Sequence, residues 1–197
     1  SSDLIAPGPG SSGPGNLTNV NGVLYFSAVD GTSGYELWKS DGTETGTVRL
    51  ADIRAGAGSS NLGNLTNVNG VLYFRANDGT SGDELWKSDG TATGTIRVAD
   101  INAVGVDSNP RYLTNVNGVL YFSATDGTSG YELWKSDGTE TGTVRLADIR
   151  AGAGSSNLGN LTDVNGVLYF RANNGTSGDE LWKSDGTATG TIRVRSE

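Results

Sequence analysis

Aspartates recur in two kinds of glycine-rich turn along the chain. The first kind is the DGTSG segment, which contains Asp30, Asp78 and Asp126. The second kind is the SDGT segment, which contains Asp41, Asp89, Asp137 and Asp185. Because carboxylate and carbonyl oxygens are the ligands that Ca²⁺ prefers, both turns are candidate calcium sites. The same carboxylates can instead accept hydrogen bonds from the backbone of their own turn, so a capping role stays open.

Aromatic residues near these turns could bind a sugar, which requires an exposed aromatic face with a few polar groups beside it. Tyr35 and Tyr131 occupy one position in alternate units, and Asp83 and Asp179 replace them in the others, so the fold requires neither residue type. Four tryptophans are further candidates: Trp38, Trp86, Trp134 and Trp182. Each tryptophan could instead pack in a core, because its side chain buries a large apolar area.

The composition excludes several kinds of chemistry. The chain contains neither His nor Cys, which removes disulfides, Cys/His zinc sites and imidazole-based catalysis. Its formal net charge of -8 argues against nucleic-acid binding, which requires clustered basic residues. No run approaches the roughly 18 apolar residues of a membrane-spanning helix, so we expect no membrane span.

An active site requires different residues that converge on one point, and a repeated sequence supplies little such asymmetry. The most distinctive stretch is residues 102–112, which we interpret as a variant linker. We therefore expect a non-enzymatic protein, with a glycosidase-like enzyme as a minor alternative.

The chain consists of tandem repeats of 48 residues, because the motif ELWKSDGT occurs four times at this spacing without insertion. Alternate units resemble each other most closely, so a block of 96 residues is itself duplicated. Periods of this length are typical of architectures in which each unit must stack on its neighbours to bury its faces.

The sequence of each unit predicts four antiparallel strands and no helix, so we expect an all-β chain. In the first unit the strands are NLTNV, VLYFSA, YELWKS and TVRLADI, separated by turns that contain glycine. Asn-Gly between the first two strands favours a type I′ hairpin. Because side chains alternate along a strand, we expect Val48 and Leu50 on one face of the fourth strand, and Arg49 and Ala51 on the other.

Four such sheets predict a β-propeller of four-stranded antiparallel blades, with four 48-residue repeats per chain. The predicted divisions are an N-terminal partial strand and linker at 1–15, then blades at 16–63, 64–111, 112–159 and 160–197. The first strand of each blade is expected nearest the axis. There, four side chains could surround a central ion: Asn19, Asn67, Asn115 and Asp163.

The segment VNGVLYFSAVDGTSGYELWKSDGTETGTVRLADI and its three counterparts resemble the bacterial ELWxxDGT repeat family, also described as hyalin-like. The segment SDGTETGT is in addition similar to the Asp-box, a hairpin of many propellers, including those of sialidases and sugar-binding proteins. The resemblance covers nearly the whole chain and implies tandem blade-like repeats in secreted or cell-surface bacterial proteins. It implies an architecture and a location more than an activity.

These observations predict an extracellular, non-enzymatic repeat module for binding or assembly, whose partner is a carbohydrate or another cell-surface component. Multivalent carbohydrate binding is one form that this role can take. The alternatives are a purely structural or adhesin spacer and an engineered symmetric propeller. Four units are compatible with three assemblies. These are a closed four-bladed ring, a head-to-tail homodimer that forms an eight-bladed ring, and an open array that exposes two apolar blade faces.

Overall fold

The computed structural model of the protein describes residues 5–6, 10–103 and 105–195. Within these ranges, sixteen strands form four antiparallel sheets, and each sheet keeps its four strands in chain order. The predicted all-β architecture of four-stranded blades is therefore confirmed. No helix in this part of the chain has the length and apolar character needed to cross a membrane.

The strand bounds repeat from blade to blade. The first blade comprises β1 (Gly15–Val20), β2 (Val23–Ala28), β3 (Glu36–Ser40) and β4 (Val48–Ala51). The second comprises β5 (Gly63–Val68), β6 (Val71–Asn77), β7 (Asp83–Ser88) and β8 (Ile96–Ala99). The third comprises β9 (Arg111–Val116), β10 (Val119–Thr125), β11 (Tyr131–Ser136) and β12 (Val144–Ala147). The fourth comprises β13 (Gly159–Val164), β14 (Val167–Asn173), β15 (Asp179–Ser184) and β16 (Ile192–Arg193).

The hairpin between the first two strands of a blade has the predicted type I′ character. In the first blade, Asn21 and Gly22 have φ values of 52° and 86°, a combination that Asn and Gly tolerate best. The Gly22 N–H also donates to Asn19 Oδ1 at 2.9 Å. The sequence therefore supplies both the backbone conformation and a cap for this turn.

Side-chain alternation gives every blade two apolar faces. In β6, Leu72 and Phe74 pack with the first blade, whereas Tyr73 packs with the third. We call the face toward the preceding blade the leading face; in the second blade it comprises Leu72, Phe74, Ala76 and Trp86. We call the face toward the following blade the trailing face; in the second blade it comprises Val68, Tyr73, Leu85 and Val98.

Three inter-blade cores result, each built from one trailing face and the next leading face. The first strands of successive blades contact one another in the order β1, β5, β9 and β13. A polar contact also recurs at each junction, where the lysine of strand three donates to a glycine carbonyl of the next blade. These bonds are Lys39 Nζ to Gly90 O (2.8 Å), Lys87 Nζ to Gly138 O (2.9 Å) and Lys135 Nζ to Gly186 O (2.9 Å).

Buried glutamates hold the linkers that join the blades. Glu36, Glu84 and Glu132 belong to the ELW segments and have no exposed surface. Glu84 accepts hydrogen bonds from the Ile101 N–H at 2.9 Å and from the Ser108 N–H and hydroxyl at 3.0 and 2.6 Å. Desolvation raises the pKa of each glutamate to about 7, although the donors favour the ionised form.

The fourth strand departs from simple alternation. In the pairing of β3 with β4, Trp38 lies opposite Arg49 and Leu37 lies opposite Ala51, so the register shifts by one residue. Paired residues share a face of the sheet, and Trp38 and Leu37 lie on opposite faces. The prediction that Arg49 and Ala51 share a face is therefore wrong, because a β-bulge reverses the alternation between them.

Candidate functional sites at the blade junctions and the open faces

The aspartates of the DGTSG turns cap their own turns. Asp30 Oδ1 accepts hydrogen bonds from the N–H groups of Ser33 and Thr32 at 2.8 and 2.9 Å. These bonds, the one from Ser33 foremost, hold the pKa of Asp30 well below its usual range. Asn174 takes this position in the fourth unit and accepts the equivalent backbone bonds, each at 3.0 Å. A neutral amide thus performs the same role, so the position requires an acceptor and not a charge.

The aspartates of the SDGT turns are used in the same way. Asp41 Oδ1 accepts hydrogen bonds from the Thr43 hydroxyl and N–H at 2.7 and 2.9 Å, which lower the pKa of Asp41. Three aspartates repeat this arrangement: Asp89, Asp137 and Asp185. Among the described residues, no three Asp, Glu, His or Cys side chains cluster to hold a metal ion. Each candidate calcium ligand, including Asp78 and Asp126, therefore binds groups of its own turn. The candidates do not form a cluster with one another in the described part of the chain.

The candidate ligands of a central ion also cap turns. The oxygens of Asn19, Asn67, Asn115 and Asp163 each accept the glycine N–H of the following hairpin at 2.8–2.9 Å. One side-chain oxygen of each residue is therefore used within its own blade.

Three of the candidate tryptophans lie between blades: Trp86, Trp134 and Trp182. Trp38 lies on the leading face of the first blade, where it packs with Phe26 and Ile5. Trp38 and Trp134 are buried, and Trp86 and Trp182 pack against the first and third inter-blade cores. The indole N–H groups of Trp38 and Trp182 donate to main-chain carbonyls of strand two in their own blades. These positions support the packing interpretation over a role as a ligand platform.

The alternating Tyr and Asp candidates lie at the edge of the blades along which the linkers run. In the second and fourth blades, an arginine of strand two pairs with the aspartate: Arg75 with Asp83 at 3.5 Å, and Arg171 with Asp179 at 3.7 Å. In the first and third blades, serine replaces the arginine where tyrosine replaces the aspartate, as at Ser27 and Tyr35. The alternation between units is thus a coupled exchange of two neighbouring side chains.

The junction of the third and fourth blades contains a pocket of about 310 Å³, which we call the junction pocket. Its lining includes Arg111, Tyr112, Tyr131, Ser155, Arg171 and Asp179. Two predicted ligand residues, Tyr131 and Asp179, therefore meet here. The Arg111 guanidinium lies over the Tyr131 ring, 5.2 Å from its centroid, which is the geometry of a cation–π contact.

Arg111 and Tyr112 break the symmetry of the chain at this pocket. The other three units carry a Gly-Asn pair at these positions: Gly15-Asn16, Gly63-Asn64 and Gly159-Asn160. Tyr112 keeps the left-handed backbone of those asparagines, with a φ of 58°, although a bulky residue adopts this conformation at a cost in free energy. The distinctive 102–112 segment signals this site, but the sequence does not reveal that its last two residues line a pocket.

Tyr112 also lacks a side-chain hydrogen bond that links neighbouring blades at the equivalent positions. Asn16 Nδ2 donates to the Leu62 carbonyl at 3.2 Å, and Asn64 Nδ2 donates to the Pro110 carbonyl at 3.3 Å. A tyrosine has no amide with which to make this bond. The substitution therefore removes this contact at the junction of the third and fourth blades.

The trailing face of the fourth blade is open to solvent. Leu181 is 51 % exposed, whereas its three equivalents are fully buried: Leu37, Leu85 and Leu133. Val164 is 47 % exposed, whereas its three equivalents are 4–5 % exposed: Val20, Val68 and Val116. Glu180 is exposed as well, unlike the buried glutamates of the other blades. The side chains that form a core at three junctions thus lie uncovered at the fourth.

The leading face of the first blade is partly open. Leu17 is 62 % exposed, and Leu24 is half-buried although the equivalent leucines of the other blades are fully buried. Ile5 packs against the buried part of this face, which contains Phe26 and Trp38. Ile53, at the same repeat position, packs against the first inter-blade core. Ile5 therefore occupies the position that the last residues of a preceding blade would occupy.

Within one chain, the four blades do not close into a ring. Within the described residues, β13 and β1 do not contact each other as the first strands of successive blades do. The exposed Val164 and Leu181 lead to the same conclusion. Of the three assemblies that the sequence left open, the closed four-bladed ring is therefore not the arrangement of this chain.

No protein-family model matches the chain, and no curated protein matches it. Among solved structures, the chain is similar to a prolyl endopeptidase, with a TM-score of 0.56 and 15% identity over 88% of this chain. It is also similar to GH43B of a Bacteroides ovatus xyloglucan PUL, with a TM-score of 0.42 and 14% identity over 98% of this chain. The chain spans 24% and 42% of the two proteins. At such low identity the similarity supports the fold alone. Together with the four antiparallel sheets, the similarity to the prolyl endopeptidase confirms the predicted β-propeller fold.

Proposed function

We propose that the protein is a non-enzymatic assembly module in which the trailing face of the fourth blade binds the leading face of the first blade of a second copy. The observation that carries this proposal is the exposure of Leu181, at a position that is fully buried in the other three blades. A leucine side chain gains about 1.5–3 kcal/mol when it is fully buried. An open face made of core residues therefore favours association with a matching face.

The partner face is identified by the repeat itself. Every buried trailing face in the chain is covered by a leading face with the same residue types. Leu17 and Leu24 are the exposed and half-buried parts of the first blade's leading face. We expect them to pack against Val164 and Leu181 of the other copy, as the equivalent side chains do within one chain.

The polar contacts of this interface follow from the same equivalence. Lys183 is expected to donate to the Gly42 carbonyl of the second copy, as the other three lysines donate to glycine carbonyls of the next blade. Glu180 is expected to accept the Ile5 N–H of the second copy, as Glu36 accepts the N–H of Ile53 at 2.8 Å. Glu180, which accepts no hydrogen bond from the described residues of its own chain, would thus gain a donor.

Two copies present two identical interfaces of this kind, so a head-to-tail dimer can close into an eight-bladed ring. A head-to-tail contact that does not close would instead continue into a filament. Closure at two copies removes both open faces at once, which supports the dimer over longer assemblies.

The wild-type protein is expected to have a solution mass near twice the 20.3 kDa of one chain, as measured by multi-angle light scattering. A mass near 20.3 kDa at micromolar concentration would contradict the proposal, and a continuous rise of mass with concentration would contradict ring closure. A calcium chelator is not expected to change the mass, because Asp41 and its equivalents already bind their own turns.

The acidic, cysteine-free composition and the resemblance to ELWxxDGT repeats support a location outside the cell or at its surface. In that setting the assembled ring would act as a structural or binding unit. The buried glutamates support the absence of catalysis, because they hold linkers and have no exposed surface with which to meet a substrate.

A further inference from the structure

The junction pocket contains two guanidinium groups that are incompletely neutralised. Arg111 makes no ion pair within the described residues, and its Nε donates to Asn109 Oδ1 at 3.3 Å. Arg171 is 3.7 Å from Asp179, and both side chains are about half exposed. Because exposed ion pairs contribute little, the pocket retains positive character in a chain whose net charge is -8. Planar guanidinium groups are well suited to bind a carboxylate through paired hydrogen bonds.

The remaining lining suits a hydroxylated ring. Tyr112 is 46 % exposed and Tyr131 is half-buried, so two aromatic side chains border the cavity. Ser123, Ser155 and Asn157 add hydroxyl and amide groups that can both donate and accept hydrogen bonds. The volume of about 310 Å³ lies at the lower end of the range for small-molecule sites. A single sugar ring with one acidic group matches this combination of size, polarity and charge.

From these observations we propose that the junction pocket binds a sugar that carries a carboxylate, such as a uronic acid, and that Arg111 and Tyr112 create this specificity. Arg111 and Arg171 bind the carboxylate, whereas the tyrosines and the serine and asparagine groups bind the ring and its hydroxyls. The repeat fixes the left-handed backbone at this position, and only here does a bulky residue adopt it. Such strain is concentrated at functional sites, which supports a binding role for Tyr112. The pocket is complete within one chain, so this proposal does not depend on dimer formation.

The first junction is a matched control within the same molecule. It carries Ser27, Tyr35, Ser59, Arg75 and Asp83 at the equivalent positions, and it differs at Gly15 and Asn16. A Cβ atom built on Gly15 would meet only the flexible Ser27 hydroxyl, at 3.3 Å. An arginine can therefore be introduced there without a backbone clash.

The test is a titration with glucuronate, glucose and inorganic phosphate, followed by calorimetry and by the shifts of amide resonances in NMR spectra. We expect one glucuronate per chain, with glucose and phosphate each bound at least tenfold more weakly. Equal binding of glucuronate and glucose would overturn the role of the arginines. Phosphate binding as tight as that of glucuronate would overturn the assignment of a sugar.

Two double variants assign the binding to the two residues. Arg111→Gly with Tyr112→Asn gives the third unit the pair found in the other units, and it is expected to weaken glucuronate binding at least tenfold without lowering Tm. Gly15→Arg with Asn16→Tyr is expected to raise the stoichiometry from one to two. Unchanged binding in the first variant would overturn the proposal, as would an unchanged stoichiometry in a folded second variant.

Discussion

A Leu181→Asp variant is expected to be a folded monomer with half the solution mass of the wild-type protein. Leu181 is 51 % exposed on the open trailing face, so an aspartate at this position can remain hydrated in the isolated chain. In the dimer the same carboxylate would be buried against the leading face of the other copy, without a partner, at a cost of several kcal/mol. Light scattering gives the mass, and circular dichroism reports whether the sheets are retained.

Leu85→Asp is the matched control, because Leu85 has the same repeat position and the same ELW context but is fully buried. Loss of a buried leucine costs about 2–5 kcal/mol, and an unpaired buried carboxylate adds several more. We expect this variant to unfold or aggregate. If Leu181→Asp unfolds the protein as Leu85→Asp does, or leaves the dimer intact, the open face is not an assembly surface.

Glu84→Ala is expected to lower the free energy of unfolding by about 1–3 kcal/mol, because it leaves the Ile101 N–H without an acceptor. The N–H and hydroxyl of Ser108 lose Glu84 as well but keep the Asp83 carbonyl, at 3.1 and 3.2 Å. Glu180→Ala, at the equivalent exposed position, is expected to change stability by less than about 0.5 kcal/mol. Both are best measured by denaturant unfolding in the monomeric Leu181→Asp background, where no second copy can cover Glu180.

The same glutamates predict a pH dependence of stability. Their folded-state pKa of about 7 lies above the value in the unfolded chain, so the folded state binds protons more tightly. The stability that this supplies is fully present below about pH 4.3 and is lost as pH rises through about 7. The free energy of unfolding is therefore expected to fall between pH 5 and pH 7.5, by up to about 1.4 kcal/mol per pH unit for each glutamate.

Glu84→Gln provides the control for this pH dependence, because an amide does not titrate. We expect the pH slope to decrease when Glu84 is replaced, since one of the three buried glutamates is then removed. A stability that rises steadily from pH 5 to pH 7.5 would show that the linker bonds keep these carboxylates ionised. The aspartate caps act in the opposite direction only at lower pH, because the pKa values of Asp30 and Asp41 are depressed.

Local sequence determines most of the fold. The Asn-Gly turns fix the hairpins through positive φ values, and alternation in VLYF assigns side chains to two faces. Three of the four strand-three tryptophans then lie between blades, as expected for the largest apolar side chains. Each of these features depends on residues close together in the chain, so a single sequence is sufficient to predict them.

The features that were not predicted depend on contacts between distant residues. The β-bulge that separates Arg49 from Ala51 arises from pairing across two strands. A charged residue such as Glu84 is usually exposed. It is buried here because linker residues 17 and 24 positions later in the chain cover it and donate hydrogen bonds to it. The junction pocket likewise combines β9 with Arg171, a residue of the next blade. Residue type and spacing alone do not specify which of these side chains meet.

The most direct test of head-to-tail assembly is a mixing experiment with two variants, each of which has one damaged face. Leu181→Asp blocks the trailing face, and Leu17→Asp blocks the leading face, where Leu17 is 62 % exposed. We predict that each variant alone has a mass near 20.3 kDa, and that an equimolar mixture forms a complex of about twice that mass through the one intact pair of faces. If the mixture remains monomeric, or if Leu17→Asp dimerises alone, the trailing face does not bind the leading face of a second copy.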